Sequence, residues 1–210
     1  MKILFLCGGI GKRMYPLEEN KFFFKFIGKE LILHHIAHLK AQGCKEEDFV
    51  LVGNPSNIGR LKELCGEDSE YAIQKSPRGM ADAVLSAKDL ISGEDLLIIN
   101  SNDVLEPAAY EKILTNSGGD SNILGYKVNK YFPGGYLIVE DGMMKGIIEK
   151  PGEGKEPSNL INIVVHLHRR TDEFIGYLEE TESERDDVYE RAMDRMIRDG
   201  FDFRVIKYAG

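Results

Sequence analysis

Apolar and polar residues follow two patterns along the first half of the chain. Short continuous apolar runs are typical of buried strands, whereas apolar residues three and four positions apart are typical of one helix face. The runs predict strands at 2–6, 49–52, 71–74 and 96–99. Apolar residues at helical spacing predict helices at 31–41, 58–65 and 81–91. This alternation favours an α/β fold with a mostly parallel sheet and helices on both faces.

The second half of the chain is richer in strands. The pattern predicts strands at 123–128, 136–139, 144–149, 160–167 and 203–208, and helices at 171–180 and 187–199. Asp141-Gly142 is a hairpin signal between two of these strands, and Gly200 is placed to end the last helix. We expect one domain over residues 1–210, with halves at about 1–115 and about 116–210.

The charge balance narrows the function. The 210 residues include 27 basic and 35 acidic side chains, for a formal net charge of −8. A general nucleic-acid binder has the opposite balance, whereas a small phosphorylated ligand held by a few local cations is compatible with it. Apolar segments fall short of the roughly 20 residues of a membrane span, and no signal sequence precedes the first strand. Three widely spaced cysteines fit a reducing compartment, so we expect a cytoplasmic protein without nucleic-acid or membrane partners.

A glycine-rich turn follows the first predicted strand. Gly8, Gly9 and Gly11 let the backbone bend sharply and bring bare amide groups against an anion. Lys12 and Arg13 add positive charge where phosphate oxygens would gather. The turn is neither a P-loop, which needs Gly-Lys-Ser/Thr, nor a dinucleotide fingerprint, which needs a glycine three positions after Gly11. A glycine turn without a ligand is the alternative reading.

Five motifs, in order, resemble those of sugar-1-phosphate nucleotidylyltransferases. The first combines the Gly-Gly-x-Gly-x-Arg turn with 21–32, which is similar to the family's Lys-Pro-Leu-Leu-Pro-Val-x-Gly-Lys-Pro-Leu-Ile. The others are Gln74 with 79–84, Asn102-Asp103, Glu149-Lys150-Pro151 and Ser158-Asn159-Leu160-Ile161-Asn162. The resemblance implies a Rossmann-like mixed, mostly parallel sheet flanked by helices, with a nucleotide-binding first half and a strand-rich, sugar-phosphate-binding second half.

The same resemblance implies an enzyme of the EC 2.7.7 class. Such an enzyme forms a nucleoside-diphosphate sugar and pyrophosphate from a nucleoside triphosphate and a sugar 1-phosphate, with Mg²⁺. Arg13 is implied to hold the triphosphate, Lys21 to stabilise charge on the α-phosphate, and Asp103 to bind the metal. The implied nucleotide contacts are Gly8, Gly9, Gly11, Lys12, Gln74 and Gly79. The implied sugar-phosphate contacts are Gly135, Glu149, Lys150 and Asn162.

The resemblance is incomplete around the catalytic lysine. Two residues are missing just upstream of Lys21, so Lys25 competes with Lys21 for the role. The eight-residue interval from Lys21 to Lys29 matches the family pattern and favours Lys21. In the second half, Val164 replaces a glycine and is expected to reshape the sugar pocket.

The resemblance supplies one metal ligand instead of two. The family's second metal-binding aspartate lies in a Trp-x-Asp-x-Gly segment beyond a strand like 203–208, and this sequence contains no tryptophan. Asp103 is therefore the single carboxylate expected to hold magnesium, with phosphate and water oxygens completing its shell.

Two other functions stay open. Phosphocholine-type cytidylyltransferases look similar in their opening motif and would use another acceptor. A catalytically silent nucleotide-sugar-binding or regulatory domain would keep the fold without the reaction. Retention of Arg13, Lys21, Asp103 and Lys150 together argues against silence. The sequence leaves homo-oligomer formation open.

The histidines suggest no metal site. His34 and His38 lie one helical turn apart, but the segment lacks the glutamate of a zinc-hydrolase helix, so we expect them on an exposed helix face. His166 is expected either to border the sugar site or to pack at the edge of the core.

Overall fold

Strands and helices alternate along the parts of the chain that the computed structural model describes, residues 1–9, 19–184 and 187–209. The strands are β1 (Lys2–Leu6), β2 (Lys25–Phe26), β3 (Lys29–Glu30), β4 (Phe49–Gly53), β5 (Glu70–Ile73), β6 (Leu96–Asn100), β7 (Ser121–Lys127), β8 (Gly135–Glu140), β9 (Met143–Glu149), β10 (Leu160–His168) and β11 (Phe203–Tyr208). The helices are α1 (Leu31–Ala41), α2 (Ile58–Cys65), α3 (Met80–Ser86), α4 (Lys88–Ile91), α5 (Pro107–Thr115), α6 (Thr171–Glu180) and α7 (Val188–Arg198).

The main sheet joins both halves of the chain. Its strand order is β5-β4-β1-β6-β10-β7-β11-β9-β8. The strands β5, β4, β1 and β6 are mutually parallel, and β11 is parallel to β7. Strand β10 runs antiparallel to both of its main neighbours, β6 and β7. The predicted mixed sheet with flanking helices is therefore confirmed, and parallel pairing dominates only among β5, β4, β1 and β6.

Two apolar clusters cover the two faces of this sheet. Within β1, Leu4 faces one cluster while Ile3 and Phe5 face the other, and all three are fully buried. The first cluster includes apolar side chains of α3, α6 and α7, and the second includes those of α1, α2 and α5. Because helices cover both faces, the central strands read as continuous apolar runs.

Several local predictions are confirmed and others are wrong. Asp141 and Gly142 both have positive φ, 49° and 79°, as the predicted hairpin turn requires. The helix predicted at 81–91 is wrong as one element, because the chain breaks at Ala87 (φ −106°, ψ 7°) into α3 and α4. Helix α5 was not predicted. His34 and His38 are half-buried, not exposed as expected.

The fold brings the ends of four strands to one edge. Parallel strands β1, β4, β5 and β6 present their carboxyl ends together, and such an edge is where ligands bind in open α/β sheets. Among the described helices, none has the length and apolar character to cross a membrane.

Candidate active site

Asparagine side chains hold the turn after β1 from behind. The carbonyl oxygens of Cys7 and Gly8 accept hydrogen bonds from Asn57 Nδ2 (2.8 Å) and Asn54 Nδ2 (3.0 Å). Asn20 Nδ2 donates to the carbonyl of Gly9 at 2.7 Å. In the described part of the chain, the N–H groups of Gly8 and Gly9 donate to no protein acceptor. Within the described residues, these two amide groups are available to an anion, which is what a phosphate cradle requires.

Three of the predicted nucleotide ligands lie outside this description. Gly11, Lys12 and Arg13 fall in the interval 10–18, beyond the described residues. The sequence analysis also missed Asn54 and Asn57. Their signal was an asparagine directly after a buried strand and another at the start of the next helix.

Gln74 is fixed by its own amide group. It is 3% exposed, at the end of β5, and its Nε2 donates to the carbonyl of Gly79 and to Asp82 Oδ2, both at 3.0 Å. Arg78 in turn holds Asp82 Oδ1 through two guanidinium nitrogens, at 2.6 and 3.1 Å. Because both Nε2 hydrogens are used, Gln74 has only its acceptor oxygen left for a ligand.

The closeness of Gln74 to the turn requires glycine at position 8. A Cβ atom on Gly8 would lie 2.1 Å from Gln74 Oε1, so no side chain fits there without a shift. Gly79 has φ of +93°, in the left-handed region that favours glycine. The two glycines thus border a cavity of about 400 Å³, whose lining includes Gly9, Gln74 and Asn102.

Asp103 lies on the turn that follows β6. Asn100 Nδ2 donates to its carboxylate at 3.2 Å, and Asn100 Oδ1 accepts from the side chain of Asn102 at 3.1 Å. Burial raises the pKa of Asp103 above its ordinary value, while the bond from Asn100 and the charge of Lys21 lower it. A carboxylate that is half-buried and still beside a cation is suited to neutralise an incoming charge.

The two candidate lysines have different surroundings. Lys21 lies in a short 3-10 helix (Lys21–Phe23) whose phenylalanines are buried. Its positive charge lowers the pKa of Asp103. Lys25 pairs across the β2–β3 hairpin with Glu30, at 3.8 Å. The electrostatic effect on Asp103 therefore favours Lys21 over Lys25.

A pair of buried side chains lies behind that turn. His35 of α1 is 1% exposed, and its Nδ1 hydrogen-bonds the hydroxyl of Tyr110 of α5. Its Nε2 is buried with no partner of normal hydrogen-bond geometry. Burial lowers the pKa of His35 to about 4, and the backbone of Ser101 and Asp103 partly offsets this. The ring is therefore neutral and packs against the Asp103 turn.

The predicted sugar-phosphate residues form a second group. Gly135 of β8 faces Glu149 of β9, and a Cβ on Gly135 would lie 3.0 Å from Glu149 Oε2 and 3.8 Å from the Cβ of Asn162. Lys150 follows with φ of +46°, exposed, with its Nζ 3.6 Å from Glu149 Oε1. Gly135, Glu149 and Asn162 thus lie together, and Lys150 is exposed beside Glu149.

Strand β10 connects the β6 part of the sheet with the predicted sugar-phosphate residues. Val165 of β10 pairs with Ile99 of β6 in antiparallel register. The pairing of β10 with β7 shifts register between Asn162 and His166, and Ile161 pairs with Tyr136 of β8. His166, with 0% exposure, lies within the core and not at its edge. Its Nε2 is 2.8 Å from Asn162 Oδ1, so it contacts the predicted sugar cleft through Asn162.

Asp103 is the residue that could hold a metal ion. The described residues contain no group of three or more histidine, cysteine or acidic side chains arranged around a metal position. A single carboxylate fits magnesium, because this cation retains water and takes substrate phosphate oxygens as ligands. Cys7 is buried against Ser101, with 3.1 Å between Sγ and Oγ, and burial raises its pKa well above the ordinary value, so it is no metal ligand.

Comparison with known proteins identifies the family. The model of the family described as nucleotidyl transferase matches residues 2–204. The chain therefore belongs to the nucleotidyl transferase family.

Individual members of the family share about 30% or less of their aligned residues with this chain. The chain is 31% identical over 164 residues to the probable mannose-1-phosphate guanylyltransferase 3 of Oryza sativa subsp. japonica, covering 72% of this chain and 45% of the relative. It is 28% identical over 173 residues to the bifunctional protein GlmU of Methanococcus maripaludis, covering 79% and 39%. The chain thus spans less than half the length of these curated relatives.

Solved structures share the fold. The inositol-1-phosphate CTP transferase from T. maritima matches with a TM-score of 0.79 at 16% identity, over 100% of this chain and 86% of that one. At this identity the likeness concerns the fold, which is the mixed α/β fold described above.

Proposed function

We propose that this chain transfers a nucleotidyl group from a nucleoside triphosphate to a sugar 1-phosphate, releasing pyrophosphate and a nucleoside-diphosphate sugar. The observation that carries the proposal is the cavity of about 400 Å³ between the free amide groups of Gly8 and Gly9, the acceptor of Gln74 and Asn102. It lies beside the Asp103 turn, with the Gly135 cleft on the next part of the same sheet edge. Two adjacent sites on one edge fit a two-substrate reaction.

The reaction needs positioning more than covalent help from the protein. A phosphate oxygen of the sugar phosphate attacks the α-phosphorus, a new P–O bond forms, and the bond to the β-phosphate breaks as pyrophosphate leaves. The amide groups of Gly8 and Gly9, with Arg13, hold the triphosphate in this proposal. Lys21 stabilises the negative charge that gathers on the α-phosphate oxygens.

Magnesium belongs to this proposal through Asp103. The ion would neutralise phosphate charge when bound, as a hard cation with oxygen ligands. Asp103 itself is held by Asn100 and lies near Lys21, so the carboxylate is oriented and remains close to a positive charge. In this proposal Asp103 provides a carboxylate oxygen, at the end of β6, as a ligand for the cation.

The two binding regions have complementary chemistry. Gln74 offers an acceptor, so the base must present an N–H donor next to Gly8. On the other side, Glu149 accepts hydrogen bonds from sugar hydroxyls, and Lys150 at the rim pairs with the sugar's phosphate.

A substrate matrix tests the proposal. Pyrophosphate release is measured with each common nucleoside triphosphate against several sugar 1-phosphates, inositol 1-phosphate and phosphocholine, with Mg²⁺ or with EDTA. We expect turnover with a sugar 1-phosphate in the presence of Mg²⁺, and none in EDTA. Turnover restricted to phosphocholine would replace the sugar acceptor, and binding of a nucleotide sugar without any turnover would indicate the silent binding domain.

A further inference from the structure

A row of buried hydrogen bonds runs from Asn162 into the core. His166 Nε2 lies 2.8 Å from Asn162 Oδ1, and His166 Nδ1 lies 2.8 Å from the hydroxyl of Tyr189 on α7. The same hydroxyl is 3.4 Å from His168 Nε2, and His168 Nδ1 is 2.9 Å from Ser121 Oγ. These five residues are called the buried row below.

The two histidines of the row are neutral. Both rings are fully buried, and no carboxylate belongs to the row. Burial lowers the pKa of His166 to about 3, with the Ile163 backbone partly offsetting it, and lowers that of His168 well below its ordinary value. A neutral imidazole has one N–H donor and one acceptor nitrogen, so each ring must donate on one side and accept on the other.

The orientation of the Asn162 amide and the direction of the row depend on each other. With Asn162 Oδ1 facing the ring, as the structure places it, that oxygen can only accept, so His166 Nε2 carries the hydrogen and donates it. His166 Nδ1 must then accept, and the Tyr189 hydroxyl donates to it. The Tyr189 oxygen is left to accept from His168 Nε2. His168 Nδ1 therefore accepts from the hydroxyl of Ser121.

The free end of the row faces the sugar cleft. Asn162 is half-buried, and within the described residues its Nδ2 group makes no hydrogen bond to the protein. Gly135 lies between Asn162 and Glu149, and the three residues are packed closely enough that a Cβ on Gly135 would lie 3.0 Å from Glu149 Oε2. A donor group and an acceptor carboxylate thus lie on either side of Gly135.

We propose that the buried row holds the Asn162 amide with its Nδ2–H donors, and not its oxygen, toward the sugar phosphate. Asn162 then selects an oxygen acceptor, a ring hydroxyl or a phosphate oxygen, while Glu149 takes the hydroxyl hydrogens. His166 and Tyr189 are positioning residues that act through Asn162. This inference rests on the proposed function for its substrate and on the buried row for its geometry.

The direction of the row is tested by NMR on the wild-type protein. Nitrogen-15 labelling of histidine distinguishes the two neutral tautomers by the shifts of the ring nitrogens. We expect the Nε2–H tautomer at both His166 and His168, with signals assigned by the variants His166→Gln and His168→Gln. An Nδ1–H tautomer at His166 overturns the inference, whether or not the enzyme is active.

The effect on substrate is tested by Tyr189→Phe, which removes the hydroxyl that fixes the His166 tautomer. We expect the KM for the sugar 1-phosphate to rise about tenfold, in line with one lost hydrogen bond, and the KM for the nucleoside triphosphate to change less than about twofold. Tyr71→Phe is the matched control, because its hydroxyl donates to the Gly66 carbonyl at the opposite edge of the sheet. Equal changes in both KM values for Tyr189→Phe would contradict the inference.

Rescue separates positioning from a general loss of structure. Gln can place an N–H donor near the position of His166 Nε2, whereas Met cannot. We expect His166→Gln to keep a lower sugar-phosphate KM than His166→Met. Each variant is assayed at the same number of degrees below its own thermal unfolding midpoint. Equal KM values for the two variants would overturn the positioning role of His166. A wild-type protein that turns over no sugar phosphate would refute the proposed function instead, and the tautomer result would still decide the direction of the row.

Discussion

Two buried histidine–tyrosine pairs lie behind the two sides of the candidate site, and they differ in how fully they are bonded. Behind Asn162, His166 uses both ring nitrogens, one on Tyr189 and one on Asn162 itself. Behind Asp103, His35 uses Nδ1 on Tyr110 but leaves Nε2 without a regular partner. Among the described residues, both ring nitrogens of His166 therefore have side-chain partners, whereas only Nδ1 of His35 has one.

The difference indicates where the site adjusts. Burial raises the pKa of Asp103, so its ionised carboxylate makes the Asp103 turn costly in the ligand-free protein. The positive charge of a bound cation would offset that cost. We expect ligand binding to reorganise the 100–103 turn more than the Asn162 cleft.

The largest effect is expected from Asp103→Asn. The substitution keeps the size of the side chain and a partner for Asn100, but removes the charge that holds magnesium, so turnover should fall about 1,000-fold. Pyrophosphate release at saturating substrates measures it. Asp95→Asn, at the exposed start of the same strand, is the matched control and should keep wild-type turnover. Activity of Asp103→Asn equal to that control would refute the metal assignment.

Next in size is the contrast between Lys21→Ala and Lys25→Ala. Lys21 acts on Asp103 electrostatically, whereas Lys25 pairs with Glu30. We expect Lys21→Ala to lower kcat about 100-fold, and Lys25→Ala to change it less than about threefold. The reverse order would mean that the shortened loop is aligned incorrectly and that Lys25 is the catalytic lysine.

Tyr110→Phe tests the comparison of the two pairs directly. Losing the hydroxyl frees the His35 ring behind the Asp103 turn, so the Mg²⁺ concentration for half-maximal activity should rise about fivefold, by roughly one hydrogen bond's worth of free energy. The sugar-phosphate KM should stay within about twofold. Tyr189→Phe should give the opposite pattern. If both variants changed the same parameter, the two sides would not be supported independently.

The smallest effect concerns stability and pH. The pKa of Asp103 is raised in the folded protein, so its ionisation destabilises the ligand-free fold at every pH above that pKa. Asp103→Asn should therefore unfold at a higher temperature than wild type at pH 7. The gap should close as the pH falls below the ordinary carboxyl pKa near 4, because only there do both the folded and the unfolded chain bind the proton. A gap that widens on acidification would show that burial does not dominate the environment of Asp103.

Strand positions were predictable because buried strands here are short apolar runs. Helix α5 was missed because only Ala109, Tyr110 and Ile113 of its nine residues are buried, too few to set a clear period. The break at Ala87 has no local signal, since alanine is the best helix former, so tertiary packing decides it.

The candidate site residues could be predicted from the sequence, and the side chains that support them could not. Gln74, Asp103 and Glu149 stand in motifs whose residue types match the chemistry proposed for them. His35 and Tyr110 are 75 residues apart in sequence, and His166 and Tyr189 are 23 apart. No periodicity relates such pairs, because a buried hydrogen bond depends on how elements pack and not on spacing along the chain.

The orientation of the Gln74 amide has a consequence for engineering nucleotide choice. In the proposed reaction Gln74 would accept an N–H from the base, because Gly79 and Asp82 take both of its Nε2 hydrogens. All the common bases carry such an N–H, so this contact alone would not select among them. Pro77, Met80 and Ala83 line the same cavity, so a library that aims to switch the nucleotide would vary these positions instead.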